Sequence, residues 1–200
     1  MSTTTIRLAT GSDGAAAQAI YGPYVRDTAI SFEYDPPTAE EMTRRIEATT
    51  ARYPYLVVEC DGDVRGYAYA SELRGRRAYD WSVETTVYLR NDCLGHGYGR
   101  ALYESLIPVL RLLGYHQAYA AISLPNAASV ALHERVGFTH AGTYDHVGWK
   151  FGEWRPVGWW QLMLDEPAGE PSPPTPISAY ADTEALAAAL ASGLPFVTPR

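Results

Sequence analysis

Cysteine is nearly missing from this chain: Cys60 and Cys93 are the only two among 200 residues, with no C-x-x-C spacing. That scarcity excludes a disulfide framework and a thiolate zinc site, so both are expected to be ordinary reduced thiols. Long apolar runs are missing too. None approaches the roughly 20 residues of a membrane span, and the opening MSTTTIRLAT has no apolar signal core, so a cytoplasmic location is expected. Positive charge is in deficit, with 16 Lys and Arg against 23 Asp and Glu, a formal net charge of −7 and a pI near 5.2. Such a surface offers no broad basic face, so neither nucleic acid nor an anionic membrane is expected as a partner.

What is present suffices for one core. A hydrophobic content of 46% over this length predicts one domain, residues 1–166, followed by a Pro-rich linker (PAGEPSPPTPI, 167–177) and a tail to 200. Thr3–Leu8 reads as a strand, and Gly11-Ser12-Asp13 supplies turn and cap chemistry before an Ala-rich helix reaching Tyr21. Thr38 with Glu41 has capping-box spacing for a helix running to about Arg52, ended by Pro54. Tyr55–Cys60 and Val64–Leu73 form a hairpin about Asp61-Gly62-Asp63, and a third strand is expected from Tyr79 to Leu89.

From Gly97, the residues Leu102, Leu106, Val109, Leu110 and Leu113 fall at helical spacing, with Gly114 as the stop and Pro108 expected to bend the helix. Gln117–Ser123 is a strand and Asn126–Val136 a helix ended by Gly137. Strands follow near 138–148 and 154–164, and Asp182–Leu190 can form a short helix in the tail. The predicted order is β-α-α-β-β-β-α-β-α-β-β.

The most informative stretch joins Val87-Tyr88-Leu89 to Leu94-Gly95-His96-Gly97-Tyr98-Gly99-Arg100: a strand feeds a glycine-rich turn that opens a helix. Free main-chain N–H groups and the positive end of the helix dipole suit such a turn to a diphosphate, and glycines permit close approach. The Gly-Lys-Ser/Thr of a P-loop and the G-x-G-x-x-G of a dinucleotide fold are both absent. A tight connection with no ligand would use the same glycines.

Leu94-x-x-Gly97-x-Gly99 resembles the (Gln/Arg)-x-x-Gly-x-(Gly/Ala) acetyl-CoA loop of the GNAT superfamily, with Leu94 where Gln or Arg is usual. Ala78-Tyr79-Asp80-Trp81, Glu84-x-Thr86-Val87-Tyr88, Leu124-Pro125-Asn126, Ser129-Val130, His133-Glu134, Val136-Gly137-Phe138, Gly152-x-Trp154 and Val157-Gly158-x-Trp160-Gln161-Leu162 extend the likeness. Together they resemble the phosphinothricin and methionine sulfoximine N-acetyltransferase branch over roughly residues 4–164. The resemblance implies an α+β fold in α/β/α layers, with a mixed, mostly antiparallel sheet flanked by helices. It also implies acetyl-CoA as cosubstrate, no metal, a small amine as acceptor and a homodimer. The alternatives are acetylation of a protein or peptide N-terminus, or a non-catalytic acyl-CoA sensor.

Acetyl transfer to an amine requires a proton acceptor. Glu84, in a strand otherwise built of Val83, Thr85, Thr86, Val87 and Tyr88, is the expected base, its pKa raised by partial burial; a solvated strand glutamate is the plainer reading. The resemblance places His133 as a second proton-transfer residue, although a core histidine would serve the fold equally. It assigns the coenzyme to Val87, Tyr88, Leu89, Gly95, His96, Gly97, Tyr98, Gly99, Arg100 and Asn126. It assigns the acceptor to Phe32, Arg74, Arg76, Tyr79 and Thr86, with Tyr34 near the same pocket. H-E-x-x-H is not met, because Gly137 stands where its second His belongs. The aromatic strands carrying Trp149, Trp154, Trp159 and Trp160 are expected to cover an interface or to fill core.

Overall fold

In the computed structural model, which describes residues 3–166 and 168–198, seven strands form one sheet in the order β1-β2-β3-β4-β5-β7-β6. They are β1 (Thr4–Leu8), β2 (Tyr55–Cys60), β3 (Asp63–Glu72), β4 (Ser82–Leu89), β5 (Gln117–Ser123), β6 (Thr139–Lys150) and β7 (Glu153–Met163). Every pairing is antiparallel except β4 with β5. The helices are α1 (Gly14–Asp27), α2 (Ala39–Thr50), α3 (Tyr98–Leu112), α4 (Ala127–Arg135) and α5 (Glu184–Ala191). None is long and apolar enough to cross a membrane, and among the described residues no three His, Cys, Asp or Glu side chains gather as a metal site.

Alternation along the strands divides the sheet between two cores. On β2, Tyr55 and Val57 meet Ile20, Tyr21 and Val25 of α1 and Met42 and Ile46 of α2. Leu56, Val58 and Cys60 point the other way, into a core with Leu102, Leu106, Val109 and Leu110 of α3. Each fully buried Leu or Val contributes about 1.5–3 kcal/mol by leaving water, so the periodicities that divide the faces also hold the layers together. Thr38 caps α2 by accepting from the Glu41 amide at 3.1 Å. Only half of the expected capping box forms, because the Glu41 carboxylate turns to Arg44 and Arg45.

One strand boundary differs from the sequence reading, and two further details concern α3 and the tail. Tyr79 lies in a 3-10 turn, Arg77–Tyr79, where its amide donates to the Arg76 carbonyl at 2.8 Å. That local bond satisfies the backbone before the sheet can, so β4 begins at Ser82 instead of Tyr79. Helix α3 is one element through Pro108. Residues 168–198 fold back on the domain as ordered chain: Thr175 donates to the Leu113 carbonyl at 2.8 Å, Trp81 to the Ser172 carbonyl at 2.7 Å, and α5 packs on α3. Pro167, Pro199 and Arg200 of the expected linker and tail lie outside the described residues.

Candidate active site

The site is made by two strands that part. β4 and β5 pair only where Ser82–Glu84 oppose Gln117–Tyr119. β4 then stays with β3 as far as Leu89, and β5 stays with β7 as far as Ser123. A cavity of about 440 Å³ opens in the gap. Thr85, Thr86, Val87 and Tyr88 form one wall and Ala121, Ile122 and Ser123 the other, and the cavity reaches Asn126, Ser129 and His133 on α4. Glu84 sits at the fork, half-buried. Burial pushes its carboxyl pKa up, and the positive charge of Arg74 draws it part of the way back.

At the far end the lining is tyrosine. Tyr55 lies opposite Tyr69, and Tyr67 opposite Tyr88, so strand register brings four phenols onto one face, with Tyr21 of α1 edge-on to Tyr88. Burial pushes Tyr21 up to about 12 and raises Tyr67, Tyr69 and Tyr88 as well, so at neutral pH these groups are hydrogen-bond donors and not bases. Charge enters through Arg45 of α2, which also lines the cavity and binds Glu33 at 2.7 Å and Glu41 at 3.0 Å. Tyr21 donates to Glu33 Oε1 at 2.9 Å. Lys150, the single lysine of the sequence, is buried and donates to the carbonyls of Val25, Ser31 and Glu33 at 2.7, 2.7 and 2.8 Å, tying the loop that carries Glu33.

Beyond β4, the strand that forms one wall, comes the glycine turn; Leu89, Gly95, His96, Gly97, Tyr98, Gly99 and Arg100 are outside the cavity's lining. Gly95 and Gly97 have φ of +82° and +81°, a left-handed conformation that glycine adopts without strain. Gly97 caps α3, and among the described residues no main-chain amide from Leu94 to Arg100 donates to a protein acceptor. A row of free donors at a helix N-terminus is what a diphosphate requires. Open space, however, surrounds only Gly95. A Cβ on Gly99 would touch Leu132 and Leu89, and one on Gly97 would strike the Phe196 carbonyl. These two glycines admit the protein's own chain.

His133 is buried with both ring nitrogens engaged. Nδ1 lies 2.7 Å from the Ser129 carbonyl, which can only accept, so Nδ1 carries the hydrogen. Burial lowers the His133 pKa, so the ring is neutral and Nε2 accepts from the Tyr103 hydroxyl at 2.7 Å. That hydroxyl stands 3.3 Å from Thr85 Oγ1, which donates across the fork to the Tyr119 carbonyl at 3.0 Å. Asn126 caps α4 through Oδ1, accepting from the Ser129 amide at 3.1 Å, which leaves its carboxamide N–H groups for a ligand.

A forked strand pair, a free-amide turn and a half-buried carboxylate at the fork describe a known architecture, and comparison with known proteins agrees. The Acetyltransferase (GNAT) domain profile matches residues 6–157. The chain belongs to the GNAT acetyltransferase family. It is 40% identical over 172 residues to the phosphinothricin N-acetyltransferase of Streptomyces viridochromogenes, covering 86% of this chain and 92% of that one. It is 38% identical over 165 residues to the L-methionine sulfoximine/L-methionine sulfone acetyltransferase of Salmonella typhimurium, covering 82% and 96%. The solved GNAT superfamily phosphinothricin acetyltransferase of Sinorhizobium meliloti, in complex with AcCoA, superposes with a TM-score of 0.81 at 35% identity, covering 90% and 97%. The open seven-stranded mixed sheet between helices is the GNAT fold, and the chain is an acetyltransferase that uses acetyl-CoA as cosubstrate.

In this GNAT acetyltransferase, the expected residues Glu84, Thr86, Val87, Tyr88, Asn126 and His133 all face the cavity. Phe32, Tyr34, Arg74, Arg76 and Tyr79 are outside its lining. Phe32 packs over Gly148, where a Cβ would clash, and the Tyr34 hydroxyl donates to the Trp149 carbonyl, so both tie α1's trailing loop to the β6–β7 hairpin. Arg74 is exposed and stacks 5.9 Å from the Trp159 ring, and Arg76 is exposed beside it. Sequence reasoning missed Tyr21, Glu33, Arg45, Tyr67 and Tyr69. A signal existed in Tyr67-x-Tyr69, whose period-two spacing puts both rings on one face. Cys60 and Cys93 are unbridged and buried.

Proposed function

We propose that this acetyltransferase acetylates the α-amine of a small amino acid or analogue, with phosphinothricin and methionine sulfoximine as first candidates, and that Glu84 is the general base. The observation that carries the reading is the position of Glu84: a carboxylate with a raised pKa at the fork, facing a polar tyrosine-lined chamber, on the strand that leads to a turn of free amides. The main-chain amides of 94–100 hold the coenzyme diphosphate, and the open edge of β4 together with Asn126 guides the pantetheine arm. Glu84 takes a proton from the acceptor ammonium, and the freed amine attacks the thioester carbonyl in a ternary complex. The nitrogen loses two protons in all: one passes through Glu84 to solvent and one ends on the departing sulfur. His133, a neutral ring held by Tyr103 and lining the cavity, assists proton transfer there.

Arg45 and the phenols recognise the acceptor, with Arg74 supplying positive charge near Glu84. The chamber's small volume and its Arg45–Glu33 pair favour an amino-acid-sized zwitterion over a polypeptide end. Tyr144, Val147, Trp149, Phe151 and Trp154 are exposed on the β6–β7 hairpin and support a homodimer formed there, while Trp160 is buried in the core. An acceptor screen that follows thiol release from acetyl-CoA tests the reading. Turnover of phosphinothricin, methionine sulfoximine or α-amino acids is expected. Turnover of peptide N-termini alone, or acetyl-CoA binding with no acceptor at all, contradicts it.

A further inference from the structure

The segment after β7 runs the length of α3 and ends on the coenzyme turn. Its seat is cut to fit. The Ser105 hydroxyl, fully buried on α3, donates to the Leu190 carbonyl at 2.7 Å and accepts from the Gly193 amide at 3.1 Å. Gly193 lies so close to α3 that a Cβ there would meet the Ala101 carbonyl at 1.9 Å. Beyond it, the Thr198 amide donates to the His96 carbonyl at 3.0 Å, and the Phe196 carbonyl abuts Gly97. The Phe196 ring lies 3.9 Å from the Arg100 guanidinium, whose Nε also binds Glu104 at 3.1 Å.

We propose that residues 193–198 are a brace for the coenzyme turn, with Phe196 and Thr198 as positioning residues for acetyl-CoA binding. The inference rests on the reading of 94–100 as the diphosphate site. Its physical basis is the side from which the turn is held. The segment engages a carbonyl and a glycine Cα, and among the described residues it leaves the amides from Leu94 to Arg100 without protein acceptors. A turn with glycines at 95, 97 and 99 loses much backbone freedom when a ligand fixes it, and contacts that fix it beforehand remove part of that loss from the binding step. Phe196 and Glu104 also restrict Arg100 in the first turn of α3, where a cation can complement an anion on the free amides. The GNAT profile match ends at residue 157, ahead of the brace.

The test separates the Thr198 amide from its side chain. Val197 has φ of −74° and ψ of 125°, which suits a residue preceding proline, and Thr198→Pro both deletes the donor and sets its ring Cδ against the His96 carbonyl, so it breaks this contact from two sides. Full-length Thr198→Pro and Phe196→Ala are each expected to raise the acetyl-CoA KM about threefold or more, with kcat and acceptor KM unchanged and Thr198→Ala matching the parent. An unchanged acetyl-CoA KM in both the proline and the Phe196 variants overturns the proposal, leaving the segment as a cover. A lowered KM overturns it as well, by making the segment an obstruction. Calorimetric titration of the parent with acetyl-CoA tests the underlying site separately: absence of binding sinks the site reading, whereas parental binding with unaffected variants sinks only the brace.

Discussion

The proposed coenzyme turn is made of main chain, and the proposed acceptor chamber is made of side chains. At the first, seven consecutive residues, 94–100, present amides through a left-handed glycine turn. At the second, Tyr21, Arg45, Tyr55, Tyr67 and Tyr88 arrive from two helices and three strands. Main-chain binding tolerates changes of side chain but not of backbone conformation, and the acceptor pocket behaves in the opposite way. A family can therefore keep one coenzyme while its acceptors change.

Glu84 faces the chamber from the strand that leads to the turn, and its loss is expected to have the largest effect. Glu84→Gln should lower kcat about 100- to 10,000-fold, the usual contribution of a positioned base, in steady-state thiol release. The parent rate should rise with pH through a pKa above that of an ordinary glutamate. A raised folded-state pKa also means that ionised Glu84 weakens the fold above that pKa, so Glu84→Gln should match or exceed the parent Tm at neutral pH. Loss of stability alongside loss of rate would break the assignment.

Gly97→Ala strains the turn itself, through a left-handed φ of +81° and contact with Phe196. It should raise the acetyl-CoA KM about tenfold and leave the acceptor KM unchanged. Arg45→Ala is its mirror image. It should raise the acceptor KM about fivefold and spare acetyl-CoA, through loss of a charged donor that Glu33 holds in place. If both variants shifted both constants equally, the division between turn and chamber would fail. The smallest effect belongs to exposed Leu94, where the family usually carries Gln or Arg: Leu94→Arg should lower the acetyl-CoA KM about twofold, and less at high salt.

The same contrast explains what could be read from the chain before its fold was known. The turn was legible because its residues are contiguous and its glycines mark a backbone requirement. Glu84 stood out as a lone carboxylate in an apolar strand. The tyrosine chamber depends on the pairing of Tyr55 with Tyr69 and of Tyr67 with Tyr88, a register that no single segment encodes. Arg45 gave no signal, because its partner Glu33 lies 12 positions away on a loop tied by Lys150. The short Ala-rich helix in the tail was legible as a helix. Its docking was not, because proline-rich composition signals only what a segment cannot form, whereas the seat at Ser105 and Gly97 is a long-range fit.

The most direct test of the central claim is a paired measurement on Glu84→Gln, with equilibrium titration by acetyl-CoA beside single-turnover transfer to methionine sulfoximine. The account predicts a Kd equal to the parent's together with transfer slowed at least about 100-fold. Transfer at the parental rate would remove Glu84 from the chemistry, and a weakened Kd would show that it serves coenzyme binding instead.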